Sequence, residues 1–222
     1  MAKAARGFAV IGLGRFGSQV ARDLSRFGNH VIGIDSDERL VTAVADALSE
    51  AVIADATDER ALREAGVGGC AAAILAIGSN LEVSVLAFMN LKTIGVEDIT
   101  VKAFDQKHER ILRELGAQSI ILPEHDAGAF TAERLNNPLI LNFVRADDEN
   151  HVGLVEAPAD RCGERYAELT LPDDADLALL GIIRSGRLLT IGDHNDLFVA
   201  NGDMLVLHGP MAGIRAFAGG AG

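Results

Sequence analysis

Tryptophan is absent from this sequence and tyrosine occurs once, so its core must be built mainly from Ala, Val, Ile and Leu. Cysteine is scarce as well. Cys70 and Cys162 stand far apart, with neither a metal-ligand spacing nor a redox pair between them, so ordinary thiols in a reducing compartment are expected. Basic residues are in deficit: 20 Lys and Arg face 32 Asp and Glu, a net charge of −12. Neither half of the chain is basic, which argues against nucleic acid as a partner and against a polybasic membrane contact. A nucleotide held locally by backbone N–H groups is not excluded. Long apolar runs are lacking too. The uncharged stretch between Glu64 and Glu82 is broken by four glycines, Ser79 and Asn80, and reads as loop, buried strand and helix start, not as a membrane span. Met1 to Arg6 lead straight into an apolar strand without the apolar stretch of a signal peptide, so the chain is expected to be cytoplasmic.

What is present is a globular composition, 49% hydrophobic and 23% charged in 222 residues. Residues 7–123 repeat one unit of apolar run, turn and helical stretch. The apolar runs are Phe8–Ile11, His30–Ile34, Ala51–Ala54, Ala72–Ile77, Ile99–Ala103 and Ser119–Leu122, with helical patterns such as Phe16–Phe27 and Leu81–Ile94 between them. Short apolar runs without polar alternation are strands covered on both faces. Six of them alternating with helices predict an α/β fold, a Rossmann-like doubly wound parallel sheet. After Pro123 the pattern changes. A helix is expected at Asp126–Leu135, an apolar run at Leu139–Val144, and a linker at Asp147–Asn150. Residues 151–222 read as a smaller C-terminal α+β domain, with strands at Val152–Glu156, Ala178–Ile183, Leu188–Ile191 and Met204–Leu207. Short helices are expected at Arg165–Leu169 and Met211–Phe217. The expected domains are therefore 1–123, a crossover helix and linker at 124–150, and 151–222.

The chemistry concentrates around Gly12-Leu13-Gly14-Arg15-Phe16-Gly17, which follows the first strand and opens a helix. The first glycine permits the tight turn, the second lets backbone approach a phosphate, and Gly17 lets helix and strand pack closely. Asp35 closes the next strand, where a carboxylate can accept both ribose hydroxyl protons and disfavours a 2′-phosphate. Arg15 is either a phosphate ligand or a solvated helix-start arginine. Asp55-Ala56-Thr57 closes the third strand, with Asp55 near an adenine edge or Thr57 serving as a helix cap. Gly78 and Asn80 lie at the end of strand four, at the switch point where ligands bind; Ser79 and Glu82 fit a capping box. Lys102 ends strand five and needs a polar target. Glu124 opens a helix, where it either complements the helix dipole or ligates a metal beside phosphates. The six histidines are scattered, and His194 sits in a polar turn. No acid–base pair is recognisable, so binding or regulation is favoured over hydride transfer.

These segments resemble those of the regulator of potassium conductance family, as found in the cytoplasmic regulatory subunits of Ktr/Trk-type bacterial potassium-uptake systems, and look most like the Ktr type. The similarity runs through Gly12 to Gly17, Val31 to Asp35, Asp55-Ala56-Thr57, Ala76 to Asn80, Val101-Lys102-Ala103, Gly116 to Glu124, Gly163 to Leu169 and Asn201 to Leu207. The resemblance implies homodimers that assemble into an octameric ring, docked on a dimeric membrane-embedded K⁺ or Na⁺ transporter at the inner face of the membrane. It implies competing ATP and ADP. Arg15 would then hold the γ-phosphate, Asp35 the ribose, and Lys102 the neighbouring phosphate region. Glu124 would bind Mg²⁺ or Ca²⁺. NAD(H) is the ligand described for Trk-type relatives. Some relatives bind cyclic di-AMP through an apolar pair and an Asn/Arg stretch. Here Tyr166-Ala167 and Thr170-Leu171-Pro172 stand in those places without arginine. A small NAD-dependent oxidoreductase and a redox-sensing repressor are the competing classes; the repressor would need a basic winged helix.

Overall fold

The computed structural model describes residues 6–78, 80–169, 171, 176–190 and 196–219. The chain divides into two units, Met1–His125 and Asp126–Gly222. In the first, β1 (Gly7–Ile11), β2 (His30–Asp35), β3 (Glu50–Ile53), β4 (Ala72–Leu75), β5 (Ile99–Lys102) and β6 (Ser119–Ile121) form one sheet. The order is β3-β2-β1-β4-β5-β6, and every neighbouring pair is parallel. The crossovers carry α1 (Arg15–Arg26), α2 (Glu38–Thr42), α3 (Glu59–Glu64), α4 (Leu81–Ile94) and α5 (Gln106–Glu114). This is the Rossmann-like doubly wound sheet expected from the alternation of apolar runs and helices.

The reason for unbroken apolar runs is visible in β1. Ala9 and Ile11 enter one core cluster, while Val10, pointing the other way, enters a second with Leu13, Ala21 and Val31. Both faces are dry, so no polar alternation survives. Ile11, Ile34 and Leu75 are fully buried, each contributing about 1.5–3 kcal/mol of transfer free energy. The chain winds outward from β1 to β3, then returns to β4 on the other side of β1. Crossovers on either side of that junction leave a crevice at the carboxyl ends of β1 and β4.

α6 (Pro123–Asn136) follows β6, starting three residues before the helix expected at Asp126. The second unit holds β7 (Ile140–Arg145), β8 (Asn150–Glu156), β9 (Ala178–Arg184), β10 (Arg187–Thr190), β11 (Met204–Pro210) and α7 (Met211–Phe217). Its sheet is antiparallel, in the order β10-β9-β11-β8-β7. The linker expected at Asp147–Asn150 is instead a hairpin turn. Val144 pairs with Val152 across it, and Asp147 Oδ1 accepts the Glu149 and Asn150 backbone N–H groups. The helix expected at Arg165–Leu169 is a single 3₁₀ turn, Tyr166–Glu168. Ser79, Thr170, Pro172, Ile191 and His194 lie outside the described residues.

The second core gathers Ile140, Val155, Tyr166, Ile182, Leu205, Leu207 and Ile214. Beside it, the Arg215 guanidinium makes a bidentate pair with Glu133, donating from Nη2 at 2.6 Å and from Nε at 3.0 Å. Asn137 Nδ2 donates to the same carboxylate at 2.6 Å. Among the described residues, no helix is long and apolar enough to cross a membrane.

Candidate nucleotide-binding site

A cleft of about 880 Å³ opens at the switch point of the parallel sheet. Its floor is the turn from β1 into α1. Gly12 has φ +92°, and a Cβ there would meet the Ala76 backbone at 2.9 Å, so both the dihedral and the space require glycine. A Cβ on Gly17 would stand 1.8 Å from the Gly12 carbonyl oxygen. That closeness brings the first turn of α1 onto the end of β1. Gly14 is different. It is the N-cap, with φ −60° and ψ −171°, and a Cβ built on it meets nothing within 4 Å. It leaves the helix start bare, with unsatisfied N–H groups exposed where an anion can reach them.

Asp35 ties the loop to β2. Its Oδ2 accepts the Leu13 N–H at 2.7 Å and its Oδ1 accepts the Asp37 N–H at 2.9 Å. Each carboxylate oxygen keeps a second lone pair, so ribose hydroxyls can still be accepted. Asp55 is likewise braced. Its Oδ1 accepts the Thr57 N–H and hydroxyl, both at 2.8 Å, which holds the carboxyl below its ordinary range. Thr57 is therefore a support for Asp55 and not the cap of α3. The cap is Asp58, which accepts from Arg60 and Ala61 N–H. The Ala56 carbonyl receives Asn90 Nδ2 at 3.0 Å.

At the opposite side, Lys102 and Glu124 find one another. Lys102 Nζ donates to Glu124 Oε1 at 2.6 Å and lies 5.6 Å above the Phe16 ring. The Lys102 side chain is 9% exposed, that of Glu124 67%. The Lys102 hydrogen bond holds the Glu124 carboxyl below its ordinary range, and the exposed Arg15 guanidinium adds to this through space.

Of the residues singled out in the sequence, Gly12, Gly14, Arg15, Phe16, Asp35, Asp55, Ala56, Gly78, Lys102 and Glu124 line this cleft together. Gly17, Thr57 and Asn80 do not. Asn80 is the N-cap of α4, its Oδ1 accepting the Val83 N–H at 3.2 Å, so the cap expected at Ser79 falls one residue later. Gln19, Ser36, Leu40 and Val83 also line the cleft and were not singled out. Gln19 carried a readable signal, since it stands one helical turn beyond Arg15 on the same face.

Among the described residues, no group of three or more His, Cys, Asp or Glu is arranged to hold a metal ion. Glu124 alone offers one carboxylate, and Lys102 already occupies one of its oxygens. A divalent cation here would need most of its oxygen ligands from phosphates and water. The glycine turn, the bare helix start and the Asp35 carboxylate, by contrast, suit a nucleotide.

The family model of the TrkA-N domain matches residues 8–123, the segment that builds this cleft apart from Glu124. The chain is 33% identical over 210 residues to Ktr system potassium uptake protein A of Bacillus subtilis (strain 168), covering 95% of this chain and 94% of that protein. It is 32% identical over 210 residues to Ktr system potassium uptake protein C of the same organism, covering 95% of each. A solved GsuK RCK domain matches with a TM-score of 0.62 at 13% identity, over 100% of this chain and 49% of that chain. The GsuK channel bound to NAD gives 0.64 at 13% identity, over 98% and 39%. GsuK bound to ADP gives 0.51 at 13% identity, over 60% and 35%. At such identities the solved structures speak to fold alone, and this chain spans half or less of their length. By the TrkA-N match and the near full-length likeness to Ktr proteins, the chain belongs to the regulator of potassium conductance (RCK) family, as a protein of Ktr type.

Proposed function

We propose that this chain is a non-enzymatic regulatory subunit of a K⁺ (or K⁺/Na⁺) uptake transporter, switched by ATP against ADP in the cleft of its parallel sheet. The observation that carries the reading is the state of the cleft's charged groups. Asp35 and Asp55 accept backbone N–H groups, while Lys102 and Glu124 neutralise each other. Such groups grip a ligand, but none is poised as a general base. The potassium-uptake names of the Bacillus relatives support the transport context.

Within this reading the pyrophosphate lies on the start of α1, the ribose at Asp35, and the adenine toward Asp55 and Ala56. Arg15 stands exposed at the mouth, with the reach to take a third phosphate bidentately. Only a group that touches that phosphate distinguishes ATP from ADP, and the switch can be no larger than this difference in affinity. Glu124 would supply a carboxylate oxygen to a divalent cation, Mg²⁺ or Ca²⁺, bound with the nucleotide, which would offset phosphate charge there. The subunit works at the inner face of the membrane, as homodimers assembled into a homo-octamer on a dimeric transporter.

A second reading keeps the regulatory role but gates it by NAD(H). The fold likeness to a channel bound to NAD favours it, and Asp35 suits the ribose of either ligand. Equilibrium titration of the purified protein with ATP, ADP, NADH and NAD⁺, with and without Mg²⁺, separates the two. ATP and ADP are expected to bind more tightly than NADH. NADH binding far more tightly than ATP sinks the adenine-nucleotide reading, and a Mg²⁺ response that persists in Glu124→Gln places the metal elsewhere.

A further inference from the structure

We propose that Glu124 is a built-in competitor of the ligand: its carboxylate holds the place beside Lys102 that a nucleotide phosphate takes, and must leave before the phosphate can enter. This inference rests on the nucleotide reading above and concerns the regulation of the same cleft. Lys102 is fixed at the end of β5 with its side chain 9% exposed. A buried ammonium without a counter-charge is strongly disfavoured, so Lys102 must keep an anion beside it. In this structure that anion is Glu124 Oε1, at 2.6 Å.

The two partners differ in their freedom to part. The Glu124 side chain is 67% exposed and sits on the first turn of α6, where water receives it as soon as Lys102 lets go. Lys102 has no such exit. The approach to Lys102 from the cleft is open at Gly78, which carries no side chain; a Cβ there would lie 3.8 Å from Nζ. Phe16, from the phosphate-facing turn, covers another side of the ammonium at 5.6 Å. Phe16, Gly78, Lys102 and Glu124 line one cleft, so a phosphate bound along the α1 start and the Glu124 carboxylate draw on the same cation.

The exchange swaps one anion for another at Lys102. A ligand with no phosphate at that point gains nothing by it, and a ligand with one must first displace Glu124. Lys102 favours phosphate-bearing nucleotides over nucleosides, and Glu124 narrows that preference by weakening the binding of ADP and ATP while leaving nucleosides unaffected. Each binding event also releases a carboxylate on the first turn of α6, which ties phosphate occupancy to the start of that helix.

The test uses the full chain in EDTA, so that no divalent ion reaches Glu124. Adenosine, AMP, ADP and ATP are titrated calorimetrically into wild type, Glu124→Gln, Glu124→Ala, Lys102→Met and the Lys102→Met/Glu124→Gln double variant, each checked for a native thermal transition. Both Glu124 variants are expected to bind ADP about tenfold more tightly than wild type, the size of a coupling between directly paired charges. Adenosine binding is expected to stay as it was, and Glu124→Gln to change nothing once Lys102 is methionine. Wild type binding ADP while both Glu124 variants bind it equally or more weakly overturns the competition and leaves the nucleotide reading standing. Equal tightening for adenosine and ADP also overturns it, because the change is then not a phosphate effect. If wild type binds none of the four ligands, the nucleotide reading falls and the competition with it.

Discussion

Two glycines of the β1–α1 turn separate the fold from the ligand. A Cβ on Gly17 would sit 1.8 Å from the Gly12 carbonyl oxygen, 3.0 Å from its carbonyl carbon and 3.1 Å from the Ala76 Cβ. The first contact is far below van der Waals distance and falls on backbone that is itself held, because the Gly12 N–H donates to the Ile34 carbonyl at 2.8 Å. Gly17→Ala must push α1 off β1. Overpacking of this kind costs about 1–3 kcal/mol and more when backbone must move. Alanine returns about 1 kcal/mol of helix propensity inside α1. The net loss is then about 1–2 kcal/mol, a fall of several degrees in the melting of the first unit. Gly14→Ala is the matched control. Its Cβ meets open space at an extended ψ that any residue adopts, so the melting temperature should hold. On the nucleotide reading proposed above, however, the added methyl would stand where a phosphate approaches the helix start, so nucleotide affinity should fall. Differential scanning calorimetry with parallel nucleotide titration reads both. An unchanged melting temperature in Gly17→Ala, or an equal loss in Gly14→Ala, refutes this division of roles.

Other substitutions probe the remaining parts of the two units. Asp35→Asn keeps one acceptor but turns a donor toward a backbone N–H, so it should cost about 2 kcal/mol, measured by thermal or urea unfolding. Asn80→Ala should lower stability by about 1 kcal/mol through loss of the α4 cap and leave nucleotide affinity unchanged; a binding defect would restore Asn80 to the ligand site. Arg215→Ala leaves the Glu133 carboxylate, 9% exposed, with Asn137 and without its cation. The expected loss is about 2 kcal/mol, discounted because the Arg215 side chain is 40% exposed. The Arg215 guanidinium holds Glu133 below its ordinary value of 4.5, so its stabilisation is complete above about pH 4.5 and disappears as pH falls through the lowered folded value. Unfolding midpoints measured from pH 7 downward should therefore slope more steeply in wild type than in Arg215→Ala.

The parallel sheet was legible because its strands are buried on both faces, which writes them as short unbroken apolar runs separated by glycine turns. α4 and α7 were legible to the residue, since Gly95 closes one and Pro210 precedes the other. Asp147 to Asn150 reads as a linker because a polar, acidic run looks alike in a linker and in a hairpin turn. What distinguishes them is the pairing of β7 with β8, which is not local. Ser79 and Asn80 are both able to cap a helix, and sequence alone does not fix which one the packing of α4 selects.

The site was readable where one segment carries it, from Gly12 to Gly17, and unreadable where distant segments meet. Lys102 visibly needed a polar partner, but only the pairing of β5 with β6, which sets Lys102 beside Ile121, brings Glu124 at the start of α6 to it. Glu133 and Arg215 lie 82 residues apart, and neither carries a local signal of the other. Asp35 was expected to face a ribose. That it also braces the Leu13 N–H follows from the β1–β2 register, which sets Ile11 beside Ile34.

The measurement that bears most directly on an ATP/ADP switch is the ratio of ATP to ADP affinity, taken on wild type and on Arg15→Ala at fixed Mg²⁺. The expected result is that Arg15→Ala loses ATP affinity by about tenfold or more, as for a charged hydrogen-bonded contact, while ADP affinity changes little. Equal weakening of ATP and ADP, or no change in either, contradicts it.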